Sequence, residues 1–196
     1  MAPRALRTPD GAYVYRGDAR VGAVGRSFDV VVVQTSTNQV SGTITFDSCG
    51  FYSMVSDVAL TPDGNSLLVS TGGGFFGDQG LAIFNRQTNQ VKKICFAASG
   101  PSGNRVAVAP GGGYAYVGQP ASAGIALIDL PEGSLAQTIR VDSSPEVFAA
   151  GSVGTVLQLT DSKFDQVLSV DVSLMKLVAS ASVGRSPSGA ATVATR

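Results

Sequence analysis

The sequence predicts an all-β protein, a β-propeller made of four-stranded antiparallel blades, with about four blades plus one extra strand. Two repeated markers carry this prediction. Thr8-Pro9-Asp10-Gly11 returns as Thr61-Pro62-Asp63-Gly64, at a spacing of 62−9=53 residues, and Thr37-Asn38-Gln39-Val40 returns as Thr88-Asn89-Gln90-Val91, at 88−37=51. Four strand-like runs per period of roughly 40 to 50 residues are typical of propeller blades. The 24 glycines and only two glutamates fit turn-rich β structure.

The first marker predicts the turn between the first two strands of each unit. Its proline presets φ, and its Asp-Gly pair supplies the geometry that reverses one antiparallel strand into the next. Strand-like runs flank the second copy at 57–60 and 66–70. We expect later equivalents at Ala109-Pro110-Gly111-Gly112 and Ala149-Ala150-Gly151-Ser152, at spacings of 110−62=48 and 150−110=40.

The remaining two strands of each unit flank the second marker. We expect third strands at 30–33, 81–84, 125–129 and 167–171, and fourth strands at 40–46, 91–96, 135–141 and 177–183. A polar residue closes each third strand, in the order Gln34, Asn85, Asp129 and Asp171. Because such a residue recurs once per unit, it predicts a turn cap rather than a catalytic group.

These units make up one predicted repeat domain. Its boundaries fall near 2–47, 48–96, 97–141 and 142–184, with a partial fifth unit at 185–196 that holds one strand, 189–195. An inner strand without its partners leaves unpaired edge groups. We therefore expect an incomplete ring, and three explanations stay open: a fragment of a larger propeller, irregular closure, or assembly with another copy. The first strand follows Met1 almost directly, which suggests a start inside a longer repeat array or a shortened chain.

The repeats resemble the YVTN β-propeller repeat family over nearly the whole chain. The resemblance is carried by Ala59-Leu60-Thr61-Pro62-Asp63-Gly64, Tyr116-Val117, Ile128-Asp129, Thr37-Asn38-Gln39-Val40 and Thr138-Ile139. It departs from the family where Gly-Gly follows Pro110 and where the turn of the fourth unit lacks a proline. The resemblance implies a propeller fold and an exported protein, periplasmic or extracellular. It also admits surface proteins, lactonases and quinoprotein-like dehydrogenase subunits.

Composition excludes several classes of function. Fourteen basic and fourteen acidic residues give no net charge, so neither nucleic acid nor an anionic membrane is a predicted partner. The sequence contains no run of 18 apolar residues, the length that a membrane-spanning helix needs. The absence of histidine removes the Ser-His-Asp triad and histidine-ligated metals. Gly72-x-Gly74-x-x-Gly77 precedes a strand rather than a helix, so we interpret it as a hairpin loop and predict no cofactor.

Three groups of residues keep alternatives open. Cys49 and Cys95 do not occupy equivalent positions, so we favour two free thiols over a disulfide between neighbouring blade rims. Asp161 and Asp165 could form the carboxylate pair of a hydrolase, although their loop is short. Arg16-Gly17-Asp18 matches an adhesion tripeptide, which three residues often do by chance.

The long loops predict the functional surface. Loops 16–27, 49–56 and 71–80 fall on one face of the propeller, the opposite face from the two turn markers, and binding residues often sit on long loops held by a rigid scaffold. Our candidate binding residues are Arg20, Arg26, Phe51, Tyr52, Phe75, Phe76 and Asp78, with packing between loops as the competing interpretation. We favour a non-catalytic binding scaffold for a protein or carbohydrate. The alternatives are a lactonase-like or quinoprotein-like enzyme, in which Arg20, Arg26 and Asp78 bind an anionic substrate, or a fragment without separate activity.

Overall fold

A computed structural model describes most of the chain. The described residues are 5–17, 27–47, 49, 54–72, 78–99, 105–119, 123–141, 147–150, 156–161, 163–185 and 187. They form four sheets, each with four antiparallel strands hydrogen-bonded in chain order. The chain divides into two compact units, Met1–Asn104 and Arg105–Arg196. The predicted fifth strand, 189–195, lies outside the described residues.

The first unit holds two sheets, which we call blade 1 and blade 2. Blade 1 consists of β1 (Ala5–Arg7), β2 (Tyr13–Gly17), β3 (Ser27–Gln34) and β4 (Gln39–Asp47). Blade 2 consists of β5 (Met54–Leu60), β6 (Ser66–Gly72), β7 (Asp78–Asn85) and β8 (Val91–Ser99). The third strands are longer than the apolar runs that predicted them, because polar residues at both ends join the ladder.

The second unit holds blades 3 and 4. Blade 3 consists of β9 (Val106–Val108), β10 (Tyr114–Gln119), β11 (Gly124–Asp129) and β12 (Ser134–Arg140). Blade 4 consists of β13 (Val147–Ala150), β14 (Val156–Asp161), β15 (Gln166–Asp171) and β16 (Lys176–Ser182). The two units thus repeat one pattern of four antiparallel strands twice each.

The Thr-Pro-Asp-Gly copies form the predicted turns. In the second copy, Asp63 Oδ1 accepts hydrogen bonds from the Thr61 hydroxyl and from the Asn65 backbone N–H, 3.0 Å away. The Gly64 N–H donates to the Thr61 carbonyl at 2.8 Å, and Gly64 has φ 71°, a conformation that glycine adopts without steric cost. Gly112 repeats this bond at 2.8 Å with φ 70°, so the third copy keeps the turn without the threonine and aspartate.

The predicted fourth copy of this turn is wrong by two residues. Ala149 and Ala150 belong to β13, and Ala150 pairs with Leu157 as Leu60 pairs with Leu67 in blade 2. The residue equivalent to Thr61 is therefore Gly151, and the third spacing becomes 152−110=42. The error arose because this copy lacks the proline that marks the register in the other three.

Three of the four residues that close the third strands, Asn85, Asp129 and Asp171, cap the following turns, as predicted. Asn85 Oδ1 accepts from the backbone N–H groups of Gln87 and Thr88, both at 2.9 Å. Asp129 and Asp171 accept the equivalent backbone bonds in blades 3 and 4. The fourth residue after each cap has a positive φ: Asn38 (55°), Asn89 (57°), Gly133 (60°) and Met175 (53°). The second marker of the sequence is thus a capped turn with one left-handed residue.

Two blade faces meet in the core of each unit. We call the face of a blade that carries the positions of Tyr15, Val30, Val32 and Ile44 its forward face, and the other its backward face. In the first unit, the forward face of blade 1 packs against Leu67, Val69, Ala82 and Phe84 of the backward face of blade 2. Phe46 stacks on Phe28 at 5.2 Å between ring centres and meets the Phe84 ring edge-on at 6.1 Å.

The second unit repeats this packing. The forward face of blade 3 supplies Tyr116, Ile125, Leu127 and Ile139, and the backward face of blade 4 supplies Leu157, Leu159, Leu168 and Val170. Each of these eight side chains is buried. The same strand positions therefore form the interface between consecutive blades in both units.

Candidate functional site

The predicted binding residues flank or fall within segments that the structure leaves undescribed. Arg20, Arg26, Phe51, Tyr52, Phe75 and Phe76 lie outside the described residues, as do the glycines at 73–77. Asp78 begins β7, where its backbone pairs with Ser99. The structure does describe the ends of the strands that these segments connect. We call these strand ends the base of the site.

A disulfide joins Cys49 to Cys95 at this base, with 5.4 Å between the Cα atoms. Cys49 follows β4 of blade 1, and Cys95 lies on β8 of blade 2. The prediction of two free thiols is therefore wrong. Unequal positions within the repeat are in fact what a bond between neighbouring blades needs, because the end of one outer strand approaches the middle of the next.

Gly80 makes room for this bond. It pairs with Cys95 across the β7–β8 ladder, directly after an irregularity in the register between Asp78 and Gly80. A Cβ at Gly80 would stand 2.5 Å from Cys49 Sγ and 3.1 Å from the Ile94 carbonyl oxygen. Only glycine lets the Cys49 sulfur reach Cys95 across the ladder at this point. No sequence signal marked this glycine apart from the other 23.

The three predicted loops begin or end close to the disulfide. Cys49 stands two residues before Phe51, and Gly80 stands two residues after Asp78. Ser27, the residue after Arg26, pairs with Asp47 at the end of β4, two residues before Cys49. The three loops, which are far apart in the chain, thus begin or end at the same end of blades 1 and 2.

A buried polar layer lies beneath these loop ends in blade 2, and sequence reasoning missed it. Its four members are at most 2% exposed: Asp57, Ser70, Thr71 and Gln79. Ser70 Oγ donates to the Asp57 carbonyl at 3.3 Å, and Thr71 Oγ1 donates to the Gly80 carbonyl at 3.4 Å. Buried polar groups are ordinarily hydrogen-bonded, and these two bonds link neighbouring strands of blade 2. The available signal was polar residues inside otherwise apolar strands.

A groove of about 300 Å³ runs between the outer strands of blades 1 and 2. Its lining residues are Thr45, Phe46, Asp47, Val91 and Lys93. Asp47 on β4 supplies a hydrogen-bond acceptor, and Lys93 on β8 supplies a donor. Both side chains are exposed. Opposite charges in one groove suit a ligand that offers both hydrogen-bond donors and acceptors.

The carboxylate pair considered from the sequence has a structural role at one of its members. Asp161 is fully buried, and its carboxylate accepts from the Lys163 and Phe164 backbone N–H groups and from Gln166 Nε2 at 3.2 Å. These three bonds fix the turn between β14 and β15. Asp165 stands in that turn with φ 54°. The arrangement accounts for Asp161 without a catalytic role.

Within the described ranges, no group of three or more histidine, cysteine, aspartate or glutamate residues is placed to hold a metal ion. In the same ranges no helix is long and apolar enough to cross a membrane.

Comparison with known proteins identifies the fold. No family model and no curated protein matches the sequence. Among solved structures, hydrazine synthase from Kuenenia stuttgartiensis superimposes with a TM-score of 0.75 at 16% sequence identity, and the match covers 94% of this chain. The β-propeller fold is confirmed. This chain spans 63% of the length of the hydrazine synthase chain. At such low identity the similarity concerns the fold alone.

Proposed function

We propose that this propeller is a binding scaffold that holds a protein or carbohydrate partner on the face of the predicted loops 16–27, 49–56 and 71–80. Phe51, Tyr52, Phe75 and Phe76 would supply apolar contact area, and Arg20, Arg26 and Asp78 would supply charged hydrogen-bonding groups. Aromatic residues and arginine are the side chains that dominate binding energy at such surfaces.

The observation that carries this proposal is the Cys49–Cys95 disulfide with its glycine partner. A covalent bond between two blades at the ends of the loops reduces the freedom that those loops must lose when a ligand binds. Gly80 leaves the middle of a ladder without a side chain, and this is what gives the Cys49 sulfur room at this place. The neighbouring groove with Asp47 and Lys93 extends the same surface toward the rim.

A second candidate is an enzyme or an enzyme subunit. The structural neighbour bears the name of an enzyme, hydrazine synthase, so a propeller of this fold is compatible with an enzyme or enzyme subunit as well as with a scaffold. The YVTN resemblance adds lactonase-like and quinoprotein-like activities to the alternatives. The site residues available to an anionic substrate would again be Arg20, Arg26 and Asp78.

We also infer an oxidising compartment for the protein. Stable disulfides form chiefly in the periplasm or outside the cell. The Cys49–Cys95 bond therefore supports the exported location that the family resemblance implies.

A ligand screen tests the proposed surface. Purified oxidised protein is screened against a glycan panel, a peptide library and sugar lactones by thermal shift, and the lactones are also assayed for hydrolysis. We expect a ligand that raises Tm, and we expect Tyr52→Ala and Asp78→Ala each to abolish the shift. Thr88→Ala, an exposed change on the opposite turns, is the matched control and should keep it. A ligand whose shift survives both loop changes would place binding elsewhere, and lactone turnover would favour the enzyme.

A further inference from the structure

The disulfide is additional to the contacts that pack two blades of this chain together. Blades 3 and 4 form the equivalent interface from eight buried side chains without such a bond, since the sequence has only two cysteines. Ser182 of blade 4 pairs with Gln166 at the position where Cys95 pairs with Gly80 in blade 2. Packing of one blade on the next therefore does not account for the bond between blades 1 and 2.

Non-covalent contacts hold blades 1 and 2 together independently of the disulfide. Phe46 stacks on Phe28 at 5.2 Å between ring centres, and its edge-on contact with Phe84 of blade 2 is 6.1 Å. At the opposite end of the interface, Arg86 Nε donates to the Tyr15 hydroxyl oxygen at 2.8 Å. We therefore expect the two blades to stay packed when the disulfide opens, with both thiols close enough for the bond to form again.

One of the two cysteines is open to solvent. Cys95 is exposed on the outer strand β8, between the buried Ile94 and Phe96, whereas Cys49 is half-buried. In thiol–disulfide exchange a thiolate attacks one sulfur of the disulfide, so access decides which sulfur reacts. Exposed disulfides are also the ones that reductants open most readily. An external thiolate is therefore expected to attack Cys95.

The surroundings of Cys49 can accommodate a free thiol. Cys49 Sγ lies 3.6 Å from the Ile94 carbonyl oxygen, which can accept a hydrogen bond from a thiol S–H. Gly80 leaves the adjacent space without a side chain, since a Cβ there would stand 2.5 Å from this sulfur. The reduced form of Cys49 therefore has an acceptor and room to move without a change in the β7–β8 ladder.

We propose that the Cys49–Cys95 bond is a reversible redox switch, which a dithiol reductant opens by attack on Cys95 while blades 1 and 2 stay packed. The reductant's thiolate bonds to Cys95 Sγ, and the electron pair of the broken S–S bond goes to Cys49 Sγ, which takes a proton. The second thiol of the reductant then displaces Cys95 as a thiolate, which is protonated in turn.

The protein thus gains two electrons and two protons, and the reductant leaves as a disulfide. The end of β4 loses its covalent tie to β8, and re-oxidation restores it. This inference concerns the chemistry of the bond and does not depend on the proposed ligand surface.

Reduction by dithiothreitol without denaturant tests whether the bond opens in the folded protein. The oxidised full chain is treated at several urea concentrations below the unfolding midpoint, and free thiols are alkylated and counted by mass spectrometry. We expect complete reduction with unchanged circular dichroism, at a rate that varies by less than about threefold with urea, because folded protein is attacked. A rate that rises steeply with urea would overturn the proposal, since the bond would then open only on unfolding.

Two single variants test which sulfur is open to attack. Cys49→Ser leaves only the Cys95 thiol, and Cys95→Ser leaves only the Cys49 thiol. Each variant is treated with an aromatic disulfide that releases a coloured thiol. We expect Cys95 to react about tenfold faster or more, because it is the more exposed of the two. Equal rates, or a faster Cys49, would contradict attack at Cys95.

Hydrogen exchange tests whether the switch acts locally. On reduction, the amides at 44–47 and 94–96 should exchange about tenfold faster or more, because the bond no longer restrains these strand ends. The Gly64 and Arg86 amides, which donate to carbonyls at the opposite end of the interface, are the matched control and should keep their rates. Faster exchange at both ends would show that the bond braces the whole interface, and no change at either end would show that reduction switches nothing. Both results would overturn the proposal.

Discussion

Arg86 Nε donates a hydrogen bond to the Tyr15 hydroxyl oxygen at 2.8 Å, across the interface between blades 2 and 1. Its guanidinium carbon lies 5.5 Å from the centre of the Tyr15 ring, and Nη1 donates to the Gly64 carbonyl at 2.5 Å. Arg86 follows the capped end of β7, so it reaches the turn ends of both blades. The first unit is therefore tied at one end by this arginine and at the other by the Cys49–Cys95 disulfide.

Removing the arginine should loosen the turn end of this interface. We expect Arg86→Ala to lower the free energy of unfolding by about 1–2 kcal/mol, since a charged hydrogen bond and a ring contact are lost at a partly buried site. Tyr15→Phe should cost less, because it removes only the hydroxyl. A double-mutant cycle by urea unfolding measures their coupling, with Arg140→Ala, an exposed change on β12, as control. Additive effects of Arg86→Ala and Tyr15→Phe would show that the bond contributes nothing.

The disulfide should contribute more than the arginine. Replacing both cysteines, Cys49→Ser with Cys95→Ser, should lower the free energy of unfolding by about 2–4 kcal/mol, because the open chain gains conformational freedom when unfolded. Urea titration of the oxidised parent and the double variant measures the difference. The double variant measured with and without reductant is the control. Its free energy of unfolding should be the same in both conditions, because it has no disulfide to reduce. Equal stability of parent and variant would contradict a bond that restrains the unfolded chain.

Gly80→Ala should destabilise the protein most while the disulfide is present. The added Cβ would stand 2.5 Å from Cys49 Sγ, and overpacking of this kind costs about 1–3 kcal/mol. In a Cys49→Ser, Cys95→Ser background the penalty should shrink, because a hydroxyl oxygen without the bond can move aside. Gly42→Ala on β4 is the matched control, since nothing lies within 4 Å of its Cβ position. A penalty of the same size in both backgrounds would mean that the glycine serves the strand rather than the sulfur.

The turns should make stability depend on acid pH. The Thr61 hydroxyl, followed by the Asn65 N–H, lowers the pKa of Asp63 below its ordinary value of 3.8. The pKa of Asp10 is lowered in the same way by Thr8 and Ala12, and that of Asp171 by Ser173 and Leu174. A carboxyl group with a lowered folded-state pKa stabilises the fold above its unfolded pKa and stops doing so as pH falls through the folded value.

We therefore expect the free energy of unfolding to fall as pH drops below 3.8. Thr61→Val removes the largest cause at Asp63 and should make this fall shallower, whereas Thr43→Val, an exposed change on β4, should leave it unaltered. Urea unfolding at a series of acid pH values measures the slope. A Thr61→Val protein with the parent slope would show that the Asp63 carboxylate does not carry this dependence.

Local chemistry explains which parts of the fold the sequence could predict. The turn at Thr61 to Gly64 needs only residues next to one another, so its copies located the first two strands of three blades. The predicted position of the fourth turn was wrong by two residues, because the stretch after Ala150 lacks that chemistry. The disulfide was missed because it depends on how neighbouring blades approach each other. A comparison of equivalent positions within the repeat holds no information on that approach.

Mass spectrometry of a non-reduced tryptic digest tests most directly whether a disulfide joins blades 1 and 2 beneath the candidate loops. Cleavage after Arg26, Arg86, Lys93 and Arg105 places Cys49 in peptide 27–86 and Cys95 in peptide 94–105. The structure predicts that these two peptides run as one disulfide-linked species that separates on reduction. Recovery of both peptides with free thiols from protein purified without reductant would contradict it.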